Sequence, residues 1–207
     1  MRRRHEGRGR GSPGRRLGVL AGGAALAGAL LLTGCAGAGE PVLAEAETAP
    51  RADCLAPQVI ASLGLSADDA SGTAHPDVPE PGAVPETFTP VSAVQCVSGE
   101  RLTDADGVWA AVTVRQLEGD LAPLLDALDQ PSEPVQADQA CAAPTSPAWE
   151  LWLVDALGRA VRADRPVDSC GSPTEQVTAA VAGLDTTVEE HFPVDLLAAR
   201  VTATPTP

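Results

Sequence analysis

Apolar positions along this chain follow two rhythms, one of 3.6 residues and one of two, and the segments that carry them take turns. CLAPQVIASLGL, from Cys54 to Leu65, sets Leu55, Val59, Ile60 and Leu63 on one helical face, with Asp53 as a cap and Gly64 as a stop. Two strands follow, VSAVQCVS from Val91 and GVWAAVTVRQL from Gly107, the second alternating Val108, Ala110, Val112 and Val114 on one face. GERLTDADG between them has the turn residues of a hairpin. DLAPLLDALDQP, from Asp120 to Pro131, returns to helical spacing through Leu121, Leu124, Leu125 and Leu128 and is halted by Pro131. AWELWLVDALGRAVRA then predicts a strand, a tight turn at 155–158 and a return strand. SPTEQVTAAVAGL, from Ser172, predicts a third helix with Ser172 as cap, Pro173 in the first position and Glu175 three residues on. TTVEEHF is a short final strand. This order predicts an α+β domain: a mainly antiparallel sheet of about five strands with two or three helices on one face.

Where periodicity is missing, boundaries are expected. AGAGEPVLAEAETAPRA, from Ala36 to Ala52, is small and acidic and is expected to form, with Cys35, a flexible tether over 35–52. The domain is then expected over 53–195, with a long exposed loop at 66–90, where five prolines fall, and a frayed tail at 196–207.

Residues 1–34 have a different layout. Seven arginines precede Leu17, and Leu17 to Gly34 carries no charge and ends in small residues, the plan of an export signal. Leu32-Thr33-Gly34-Cys35 resembles the bacterial lipobox. That resemblance implies removal of 1–34 and a diacylglyceryl group on the Cys35 sulfur, hence anchorage at the extracytoplasmic face of the cell membrane. Each buried CH₂ contributes about 0.8 kcal/mol and one chain binds only marginally, so two acyl chains suffice for stable attachment. Gly18, Gly22, Gly23 and Gly28 thin the apolar run, and at eighteen residues it falls short of the ~20 of a spanning helix.

Loss of the signal would change the charge balance. From Cys35 onward the chain carries seven arginines, no lysine and twenty-seven acids, a formal charge of −20. Nucleic acid is excluded as a natural partner, because such binding depends on basic side chains that release counterions from phosphates. Rich in Ala, Gly, Pro and Arg, the whole chain is similar to the exported actinobacterial lipoproteins that carry one small cysteine-paired domain.

Cys54, Cys96, Cys141 and Cys170 remain beyond the anchor, and four cysteines allow three pairings. Cys141 and Cys170 stand almost equidistant from the turn at 155–158, so a hairpin folded there brings them together across its open end. Cys54 and Cys96 then pair by exclusion. Export makes disulfides the default, and each loop closure contributes roughly 3 to 4 kcal/mol in the chain-entropy model. No cysteine stands two to four residues from another, which argues against zinc.

Catalytic patterns are not legible. His75 and His191, the only histidines after Cys35, have no neighbouring nucleophile or base in sequence and read as surface residues. DADG at 104–107 lacks the spacing of a calcium loop and reads as a hairpin turn. Phosphate-cradling and GxSxG motifs are missing, and no cofactor is expected. Among Trp109, Trp149 and Trp152, two or three are expected in the core, and an exposed one such as Trp149 would anchor a binding face.

From Cys141 to Cys170, the order cysteine, Pro147, apolar strand, turn, strand and cysteine resembles the second half of the subtilisin-inhibitor-like family. That resemblance implies an antiparallel sheet with helices on one face and a protease-facing loop whose scissile position is near Ala143 and Pro144. The expectation is therefore a membrane-anchored, non-enzymatic domain that binds an extracytoplasmic protein or envelope component. A serine protease inhibitor and an enzyme with an unrecognised site are the alternatives.

Overall fold

A computed structural model describes residues 43–66, 75–134, 139–143 and 146–200. The elements run β1 (Thr48–Ala49), α1 (Pro57–Ser62), β2 (Pro90–Thr103), β3 (Gly107–Glu118), α2 (Ala122–Leu128), β4 (Trp149–Asp155), β5 (Ala160–Arg162), α3 (Glu175–Ala182) and β6 (Asp185–Ala199). They form the expected α+β domain, built on a six-stranded sheet in the order β1-β5-β4-β2-β3-β6 with every neighbouring pair antiparallel.

Side-chain alternation divides the core into two layers. Leu151 and Leu153 of β4 join Ala93 and Leu117 on the face covered by α2 and α3, through Leu124 and Val181. Trp152, between those two leucines in sequence, points to the other face with Cys96 and Val112, where α1 covers them with Val59 and Ile60. Two helices thus share one face, and α1 takes the opposite one. β4 is buried on both faces, which is why WELWLVD is apolar almost throughout instead of alternating.

Both turns are local devices. Asp155 closes the β4–β5 turn by accepting hydrogen bonds from the Leu157 and Arg159 amides through one oxygen, at 2.9 Å each. Asp104 does the same between β2 and β3, accepting from Asp106 N at 2.8 Å and Gly107 N at 3.0 Å. The strand leading to it runs past the expected end at Ser98 as far as Thr103. It stays paired because the register slips between Val97 and Glu100, at Gly99 with φ +108°.

Several expected boundaries move. The segment read as part of a tether is structured from Leu43 onward: β1 pairs with β5, Glu45 bridges Ala83, and Ala46 and Ala49 are buried. Alanine is small enough to enter the core between strands, so a segment without visible periodicity still contributes a sheet edge. The described half of the proline-rich loop is likewise tied down, with Gly82 N donating to Arg162 O and Asp164 N to Gly82 O. At the other end, β6 absorbs Leu196 to Ala199, the start of the expected tail, because β3 offers an unpaired edge along its whole length. α3 is capped by Thr174, whose Oγ1 accepts from Val177 N, since Pro173 is held in a bridge to Val167. α1 begins at Pro57, a residue suited to a first turn, and Asp53 therefore lies outside the helix.

Candidate functional site

The sheet extends beyond the helices that cover it. Toward the outer strands β3 and β6, the register aligns side chains in two rows on the α2/α3 face, polar at their β3 and β6 ends. One row is Leu151, Gln95, Arg115 and Glu189; the next is Trp149, Val97, Thr113 and His191. Residues directly opposite across antiparallel strands approach closely enough to interact, and the polar pairs do. Arg115 Nε donates to Glu189 Oε2 at 2.6 Å, and Thr113 Oγ1 lies 2.9 Å from His191 Nδ1. Glu189 Oε1 is 3.6 Å from His191 Nε2. The Arg115 hydrogen bond holds the Glu189 carboxyl below the usual glutamate range.

Trp149 borders this surface. Trp109 and Trp152 are 4% and 0% exposed, whereas Trp149 is only half-buried. Its position follows from a shortfall of pairing. β5 matches β4 only from Trp152 to Val154, and so the first residues of β4 form an open edge. Arg165 closes that edge. Its guanidinium donates to the Trp149 carbonyl, sits 4.3 Å from the centroid of the Trp149 ring, and reaches Glu150 Oε1 at 3.3 Å. Burial pushes the Arg165 pKa below that of free arginine, and the Glu150 charge opposes the shift. Glu150 also accepts from Arg162 Nε at 3.1 Å, and Arg162 Nη2 donates to Ser62 Oγ at 3.0 Å. Trp149 is thereby fixed by a charged network running back to α1.

A groove of about 440 Å³ lies between α3 and the sheet, with Gln95, Arg115, Trp149, Thr178, Ala182 and Glu189 among its lining. A second hollow of about 340 Å³ shares Gln95, Arg115 and Trp149 with it and reaches Thr113 and Pro147. Both volumes suit a small ligand or part of a chain.

Hydroxyl, imidazole and carboxylate occur here in the order of an acyl-transfer triad, but the geometry is wrong for catalysis. Thr113 is 4% exposed, so its hydroxyl lies beneath the surface, and the 3.6 Å step from His191 to Glu189 is too long for the hydrogen bond that would orient the ring. Among the described residues no three His, Cys, Asp or Glu side chains gather as metal ligands. No described helix is long and apolar enough to cross a membrane.

The expected cysteine pairs form, Cys54 with Cys96 and Cys141 with Cys170. Ala143 is exposed near the second bridge. Cys35 and Pro144 lie outside the described residues. Sequence reading missed the partners of both histidines: His75 Nδ1 lies 2.8 Å from Asp53 Oδ2, and His191 meets Thr113. It also missed Gln95, Arg115, Glu189 and Arg165. The one available signal was a repeated two-residue step, Thr113 to Arg115 and Glu189 to His191, which places each pair on one strand face.

No protein-family model matches this chain, no curated protein matches its sequence, and no solved structure matches its fold.

Proposed function

We propose that this chain is an exported, lipid-anchored domain that binds an extracytoplasmic partner through the sheet surface beside Trp149 and performs no chemistry of its own. The observation that carries this reading is the difference among the three tryptophans. Two fill the core, and the third is held half-buried at the rim of a groove by an arginine that is itself paired. A rigid aromatic of this kind adds contact area at little entropic cost, which is what binding faces use.

Anchorage rests on the arginine-rich start, the uncharged run and Leu32-Thr33-Gly34-Cys35. With Ala44 tied to Ala83 by a backbone hydrogen bond, only residues 36–43 separate Cys35 from the fold, a reach of roughly 30 Å even when fully extended. Such a short link confines the binding face to partners at or near the membrane surface.

Two measurements test the reading. A clickable fatty acid fed to the producing cells should label the wild-type protein and leave Cys35→Ala unlabelled; label persisting on the variant removes the anchor. Immobilised residues 36–207, challenged with solubilised envelope, should retain a component that Trp149→Ala releases. Equal retention by both proteins would move the binding face elsewhere. In a protease assay the same protein should leave subtilisin and trypsin active at micromolar concentration. Inhibition abolished by changing Ala143 would put the inhibitor resemblance first.

A further inference from the structure

We infer that the groove between α3 and the sheet takes a neutral saccharide chain, with Trp149 as the surface on which a sugar ring lies. This rests on the reading of the Trp149 rim as the ligand face and specifies its chemistry.

Charge decides first. Arg115 is engaged by Glu189 at 2.6 Å, and Arg165 by Glu150 at 3.3 Å, so neither cation is free for a phosphate, sulfate or carboxylate. The excess of acids over the whole chain repels anions further. Glu189, the carboxylate of the first groove, is engaged by Arg115. What the two hollows offer instead is the amide of Gln95, the outer edges of the Arg115–Glu189 pair, the hydroxyl of Thr178 and the exposed carboxylate of Glu100, which accepts from hydroxyls and repels anions.

Those groups supply donors and acceptors together, which a sugar hydroxyl can use both ways. A hexose also has an apolar C–H face, and an aromatic ring held in place is its natural counterpart. Arg165 holds the Trp149 backbone carbonyl and covers one face of its ring, so a sugar would lie on the opposite face. Shape points to a chain of linked rings rather than one. The hollows of about 440 Å³ and 340 Å³ run into each other over Gln95, Arg115 and Trp149, so the tryptophan would stand at the junction between adjacent rings.

The experiment titrates purified, oxidised residues 36–207 with chitotetraose, cellotetraose and maltotetraose by calorimetry, with a sulfated tetrasaccharide as the anionic control. At least one neutral probe should bind saturably, the sulfated probe at least tenfold more weakly. Trp149→Ala should weaken the neutral probe by about tenfold or more, the loss expected of a central aromatic contact. Ala182→Phe, which places bulk on an exposed position of the groove wall, should also abolish binding without disturbing the core. Failure of all three neutral probes at millimolar concentration overturns the inference, and so does binding that both variants leave intact. Should the neutral probes fail while Trp149-dependent capture from envelope persists, the saccharide is wrong and the binding face stands.

Discussion

Glu150 and Arg162 face each other at 3.1 Å with their side chains 9% and 3% exposed, the most deeply buried ion pair among the described residues. Removing one member strands the other charge away from water, which typically costs about 3 to 5 kcal/mol. Glu150→Ala should therefore destabilise the domain by an amount of that order in urea unfolding. It should also release Arg165 and red-shift the fluorescence of Trp149. Replacing Glu150 and Arg162 together by leucine and methionine should recover much of the stability while leaving Trp149 unclamped. A stable Glu150→Ala protein would show that the network does not hold β4, β5 and α1 together.

The disulfides should differ in accessibility. Cys54 and Cys96 are buried in the layer under α1, whereas Cys141 and Cys170 are exposed. Thiolate attack needs access to sulfur, so mild dithiothreitol followed by alkylation should mark Cys141 and Cys170 first. Cys54 and Cys96 should react only under conditions that also unfold the domain. With sequence separations of 42 and 29 residues, each bridge contributes roughly 3.5 to 4 kcal/mol in the chain-entropy model. Simultaneous labelling of all four cysteines would contradict the difference in burial.

Acid should weaken the fold. Burial alone would raise the Asp155 pKa, but hydrogen bonds from the Arg159 guanidinium and from the Leu157 and Arg159 amides overcome this and hold it below the usual aspartate range. Glu189 is lowered in the same direction, chiefly by Arg115. Groups with depressed folded pKa values contribute stability that is fully present above their unfolded values, about 4, and is lost as pH falls through the folded ones. Urea midpoints should thus be steady from pH 7 to about 5 and decline below about 4. Asp155→Asn should flatten that decline; an unchanged acid slope would argue against a linked Asp155.

Gly82 tests whether the segment from Leu43 belongs to the fold. A Cβ at this position would lie 2.5 Å from Ala44 O and 2.7 Å from Ala46 N, both backbone atoms with no side chain to swing away. Gly82→Ala should push the N-terminal segment off the sheet, with a cost of about 1 to 3 kcal/mol for the overpacking. Hydrogen exchange should then accelerate at Ala46 and around β1, and much less in β2 and β3. Uniform exchange in the two proteins would mean that the segment is not packed in solution.

Local interactions are what the sequence by itself determined. The helical faces of α1, α2 and α3, the Asp-centred turns at 104–107 and 155–158 and the alternating strands all depend on residues a few positions apart. The disulfide pairing expected from the turn at 155–158 is the one found, although the β4–β5 ladder ends at Trp152 and Arg162, short of Cys141 and Cys170. The site is different in kind. Arg115 meets Glu189 across 74 residues and Thr113 meets His191 across 78. Their meeting depends on the register of β3 against β6, and a one-residue slip would turn each side chain to the other face. Hydrophobic periodicity does not specify that register, since the outer part of β6 is exposed and supplies no apolar stripe to align. The same holds for β1: two residues of strand have no periodicity to read, and only the unpaired edge of β5 recruits them. Which tryptophan stays at the surface was decided by the shortness of β5, which leaves the first turn of pairing on β4 to Arg165.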